Sequence, residues 1–190
     1  MLTGTLPVQL TACRWLARYP ELWQLAAEKG GTLSTEQVRA WIDSHTDYVI
    51  LRWDDGTSVI VKSNPVLDLM GISVDDWDAK LYEVDHIMPV AMTGDQKDRK
   101  STPFNFCIVS QEDNRRWSDQ FGLENPPKSR SRKPGPPKCR VVGVWESLAV
   151  LIYHELKSQP ALQQALIMTV LPQDSHVPVA ELSQKLIYGY

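Results

Sequence analysis

Cysteine is scarce in this chain. Cys13, Cys107 and Cys139 are odd in number, widely separated and outside any Cys-x-x-Cys pattern. That excludes a disulfide framework and argues against a structural zinc site, leaving three ordinary thiols. Long apolar runs are missing as well: none approaches the roughly 20 residues of a membrane helix. Nor does the N-terminus carry the basic-then-apolar pattern of a secretory leader. These absences predict a soluble, cytoplasmic protein with no membrane partner. There is no internal repeat. A strong net charge is also lacking, since the formal value is only −3, and taken alone this disfavours a nucleic-acid binder.

The distribution of charge reverses that inference. Residues 115–140 hold eight basic side chains (Arg115, Arg116, Lys128, Arg130, Arg132, Lys133, Lys138 and Arg140) against Asp119 and Glu124. The stretch carries +6 and leaves −9 for the remainder. A basic strip on an acidic body is the footprint of a protein that meets a polyanion along one face. The 190 residues, 43% of them hydrophobic, suffice for one sizeable domain or a catalytic module with helical flanks. Seven tryptophans are spread along the chain, and most are expected to anchor the core.

Periodicity divides the sequence. Apolar residues from Val8 to Ala27 recur at helical spacing, with Pro20 expected to break the stretch in two. Ser34 to Gln37 reads as a capping box opening a short helix. Tyr48–Trp53 and Thr57–Lys62 flank Asp54-Asp55-Gly56, a hairpin signal. Asn64-Pro65 reads as an N-cap with proline at the first helical position. Next, Tyr82 to Val90 is predicted as a strand ended by Pro89, and Phe104 to Val109 as a second. Ser110 to Asp113 then caps a helix, with Gly122 placed to stop it. A Pro-rich basic linker follows. Beyond it Trp145, Leu148, Ala149 and Ile152 share one helical face, Leu162 to Val170 form another helix, and Val179 to Ile187 a shorter last one. The expected division is 1–81 (helices and hairpin), 82–122 (catalytic core), 123–140 (linker) and 141–190 (helical segment).

The chemistry concentrates in the second of these. Asp85-His86-Ile87-Met88-Pro89 is followed by Asn105 and, nine residues later, Asn114. Aspartate and asparagine oxygens can hold a hard divalent cation, and an imidazole with a reference pKa of roughly 6.5 can take a proton from water. Together these are the equipment of a metal-assisted phosphodiesterase. Adjacent residues of a regular strand face opposite ways, so Asp85 and His86 can serve one site only across a twist or bulge. The plainer alternative makes His86 a packed strand residue and the asparagines turn or cap residues.

The strand–loop–strand–helix order with this Asp-His, Asn, Asn series resembles the ββα-metal fold of HNH endonucleases. It is closest to the variant found in phage homing endonucleases and in the HNH domain of RNA-guided CRISPR nucleases. The resemblance implies an α+β fold: an HNH core with an additional β-hairpin and flanking helices at both ends. It implies Asp85 and Asn114 as ligands of one Mg²⁺ or Mn²⁺ ion, His86 as general base, and Asn105 as a tether that orients the His86 ring. It covers residues 82–122 only. The loop from His86 to Asn105 is longer than in the shortest relatives, Phe106 stands where leucine is usual, and the paired zinc cysteines are missing.

The expected activity is hydrolysis of DNA phosphodiester bonds, with RNA as an open alternative substrate. A monomer would nick, and a homodimer would cut both strands. Arg115, Arg116 and the Lys128–Arg140 strip would contact the nucleic-acid backbone. The competing expectation is a catalytically silent nucleic-acid-binding or protein-interaction protein on the same scaffold.

Overall fold

The computed structural model describes residues 14–89, 102–117 and 142–171, with the side chains of Arg116, Trp117 and Lys157 left out. Among these residues the chain is mixed α+β, with seven α-helices and two small antiparallel sheets.

Val8 to Cys13 of the expected first helix lie outside the described residues, and Arg14 and Trp15 are extended, not helical. Arg14 C=O accepts a hydrogen bond from Ile108 N–H (3.0 Å) and Trp15 bridges to Cys107. One 3-10 turn (Leu16–Arg18) follows, then α1 (Pro20–Glu28). Pro20 separates that turn from α1, which it opens at the first position, where its missing N–H costs nothing. Two indoles fix this segment: Trp15 donates to Phe104 C=O, 89 positions away, and Trp23 locally to Ala17 C=O, both at 2.7 Å.

Helix α2 (Thr35–Asp43) opens on a complete capping box: Gln37 N–H donates to Ser34 Oγ and Ser34 N–H to Gln37 Oε1. Strands β1 (Asp47–Arg52) and β2 (Ser58–Ser63) form a hairpin in which Asp47 pairs with Ser63 and Arg52 with Ser58. Gly56 takes a φ of 85° in its turn, a conformation that suits glycine. Tyr48, Val49, Ile50, Leu51, Val59 and Ile60 are all exposed. Fully buried Asn64 caps α3 (Pro65–Leu69) by accepting from Val66 and Leu67 N–H. Its amide nitrogen ties that cap back to Ile42 C=O (2.8 Å). In α4 (Val74–Asp78), Asp75 and Asp76 occupy the first turn, beside the positive end of the helix.

The second sheet joins β3 (Tyr82–His86) to β4 (Phe106–Ser110), registered from Tyr82–Ser110 to His86–Phe106. This two-stranded ribbon lies between two hydrophobic clusters. Val84, Phe106 and Ile108 face a cluster containing Leu22, Ile42, Leu67 and Trp77. Cys107 and Val109 face the other, with Trp15, Trp23, Phe104, Tyr153 and Ile167. Apolar neighbours on both sides explain why β4 is a continuous apolar run. Helix α5 (Gln111–Trp117) follows β4 directly.

In α6 (Val144–Glu155) the four residues read as one helical face are not buried together. Trp145, Leu148 and Ile152 are exposed, whereas Glu146, Ala149, Val150 and Tyr153 are buried. Tyr153 stacks on Phe104 with ring centroids 4.7 Å apart, and Glu146 pairs with Arg18 at 2.8 Å. These partners turn a helix whose apolar residues surround it. Helix α7 (Pro160–Val170) buries Ile167, and Gln163 Nε2 donates to Tyr153 C=O (2.8 Å). Trp15, Trp23 and Trp77 are core anchors, while Trp53 and Trp145 lie at the surface. No helix among the described residues is long and apolar enough to cross a membrane. The predicted Gly122 stop, the linker and the last helix lie outside the described residues.

Candidate active site

The site is built where β3 ends. The sequence predicts a strand to Val90, but the ladder stops at His86. Ile87 N–H still donates to Asn105 C=O (2.9 Å), and then a side chain takes over from backbone pairing. Asn105 Oδ1 accepts from Met88 N–H (2.7 Å) while Asn105 Nδ2 donates to Met88 C=O (3.1 Å). Asn105 is buried and closes a 3-10 turn (Pro103–Asn105), one residue before the strand in which it was expected. That turn aims the amide back across the ribbon, so the segment after His86 is held through Met88.

Asn114 comes from α5. Asp113 N–H donates to Ser110 Oγ (3.1 Å), capping the helix start, and Gln111 N–H donates to Leu81 C=O (2.9 Å). Both bonds fix the helix against the beginning of β3. Asn114 Nδ2 then donates to Glu83 Oε1 at 2.7 Å. Strand alternation puts Glu83 and Asp85 on one face of β3, the face that carries Asn114. Asp85 stands opposite Cys107, and its Oδ2 is buried.

His86 goes the other way. It follows Val84 on the opposite face, and its ring lies 5.2 Å from that of its ladder partner Phe106, tilted by 38°. Glu36, in the first turn of α2, interacts with it electrostatically. The Glu36 carboxyl is held below the usual carboxylate range, first by its own backbone hydrogen bond, then by Ser34, with His86 a smaller influence. Strand alternation therefore puts Asp85 on the face where Glu83 meets Asn114, and His86 on the opposite face with Phe106.

Glu83 is the residue that sequence reading missed. A strand period of two places it on the face of Asp85, and that was the available signal. The Asp85 carboxylate and the Asn114 amide oxygen are oxygen donors of the kind a hard divalent cation takes, and Glu83 holds the nitrogen of that amide. Among the described residues no three His, Cys, Asp or Glu side chains gather at metal-holding distance, so this face offers no carboxylate-and-histidine cage. Arg115 is exposed on α5; the Arg116 side chain and Lys128, Arg130, Arg132, Lys133, Lys138 and Arg140 lie outside the described residues. His45 is engaged with Trp41, Nδ1 lying 2.8 Å from its C=O, and His176 is outside the described residues. Cys107 is buried, its Sγ donating to Asp85 C=O (3.6 Å); Cys13 and Cys139 lie outside the described residues. No protein-family model, no curated protein and no solved structure matches this chain.

Proposed function

We propose that the protein is a metal-dependent HNH endonuclease that hydrolyses DNA phosphodiester bonds. One observation carries the reading. The Asp85-His86, Asn105, Asn114 series sits on a strand–strand–helix unit in which Asn105 clamps the backbone just past His86 and Asn114 reaches back to the face of Asp85. In this reading Asp85 and the Asn114 amide oxygen hold one Mg²⁺ or Mn²⁺ ion. When bound, that ion stabilises charge on the phosphoryl and leaving oxygens. His86 takes the proton of the attacking water, which requires its ring to swing round the strand end from Phe106. Arg115, Arg116 and the basic strip hold the phosphate backbone. A monomer nicks, and a homodimer cuts both strands.

A second reading has its own observation. His86 packed on Phe106, away from Asp85, favours a catalytically silent nucleic-acid-binding protein on the same scaffold. Supercoiled plasmid incubated with Mg²⁺ or Mn²⁺ separates the two. The nuclease reading expects nicked or linear product that vanishes with EDTA and in His86→Ala. Intact plasmid with both metals supports the silent scaffold, and cleavage that survives His86→Ala places the active site elsewhere.

A further inference from the structure

We propose that Glu83 is a positioning residue for Asn114: by accepting the hydrogen bond of its amide nitrogen, Glu83 turns the Asn114 oxygen toward the bound cation. The inference rests on the metal-dependent nuclease reading and adds to it a group outside the Asp-His-Asn-Asn series.

The two ends of an asparagine amide are not equivalent. Oδ1 can ligate a cation, whereas Nδ2 can only donate. Nothing in the amide itself chooses between two orientations half a turn apart. A carboxylate accepts and never donates when ionised, so one placed beside the amide selects the orientation with Nδ2 facing it. Glu83 Oε1 stands 2.7 Å from Asn114 Nδ2, the length of a charge-assisted bond. The register is firm, because Gln111 N–H donates to Leu81 C=O and pins α5 to the start of β3. With Nδ2 committed to Glu83, Oδ1 is the end of the amide left for Asp85's face of the ribbon.

The test is Mn²⁺ titration by calorimetry on the full chain, with thermal melting alongside. Removing an outer partner of a metal ligand typically weakens binding about 10–100-fold, and Glu83→Ala is expected in that range. Glu83→Gln keeps an acceptor oxygen at the same reach but can also donate, so it selects the orientation less strictly and is expected to weaken binding less than Glu83→Ala. Equal weakening by both would mean that Glu83 acts through its charge or as a direct ligand, which overturns orientation. Parent-like binding by Glu83→Ala overturns it too. If Glu83→Ala does not fold, Glu83→Met, which fills the same space without a comparable acceptor, supplies the second test and is expected to weaken Mn²⁺ binding in the same range. Parent-like binding by Glu83→Met rejects the proposal. Failure of the underlying reading looks different: Asp85→Ala and Asn114→Ala would then bind Mn²⁺ as the parent does, or the parent would not bind it, and this proposal would fall with the reading.

Discussion

Asn105 and Met88 are joined by two hydrogen bonds that use both ends of one side-chain amide, standing in for the backbone ladder where β3 has stopped. Both residues are buried, so water cannot replace either bond. Asn105→Ala leaves the Met88 N–H and C=O unpaired. At roughly 1–3 kcal/mol for each unsatisfied buried group, the expected cost is about 2–6 kcal/mol. Urea unfolding measures it, and a change below about 0.5 kcal/mol, the range of an ordinary surface substitution, would contradict the clamp.

Tyr153 predicts a pH dependence. Burial pushes its hydroxyl from 10 up to about 12, because the ionised ring is disfavoured beside Phe104 and its neighbours. The folded value is raised above the unfolded one. Its contribution is therefore complete below pH 10 and lost as pH rises through 12. Tyr153→Phe should flatten that part of the stability profile. Urea midpoints at intervals from pH 9 to 12 test this, and parallel profiles for parent and variant would refute it.

Phe104 and Ile50 should differ sharply. The Phe104 ring meets Trp15, Trp23 and Tyr153 at centroid distances of 5.5, 5.2 and 4.7 Å. Phe104→Ala is expected to cost about 3–5 kcal/mol through the cavity it opens. Ile50 is 54% exposed on the hairpin, and Ile50→Ala should stay within about 0.5 kcal/mol. A cost above 2 kcal/mol at Ile50 would show that this face is covered in solution.

Two caps should also rank by burial. Ser34→Ala removes an exposed cap and should cost about 1 kcal/mol. Asn64→Ala removes a buried cap together with the bond to Ile42 C=O, for about 2–4 kcal/mol. Denaturant midpoints compare the pair, and equal costs would argue against the tether to Ile42.

Features encoded within a few residues were legible in the sequence. The Ser34–Gln37 box, the Asn64-Pro65 helix start and the Ser110–Asp113 cap follow from side chains bonding backbone three or fewer residues away, and the hairpin from the positive φ of Gly56 with Thr57 N–H donating to Asp55 Oδ1. The Asp-His, Asn, Asn series could be read in the same way, as residue types at spacings. Other features were not. Trp145, Leu148 and Ile152 have a helical period but face outward, because Tyr153 and Glu146 find better partners in Phe104 and Arg18. The Glu83–Asn114 bond spans 31 positions, too far for a local pattern to reveal.

By itself, then, the sequence determined where helices and turns begin, the apolar character of β4 and which residues carry candidate chemistry, since these depend on local bonding and side-chain type. Tertiary structure decided that Arg14 and Trp15 run extended beside β4, that α6 turns Tyr153 inward, and that Asp85 and His86 leave β3 on opposite faces. Those outcomes follow from which distant surfaces are buried together and from the two-residue alternation of a paired strand, and neither acts until the ribbon has been packed between its two clusters.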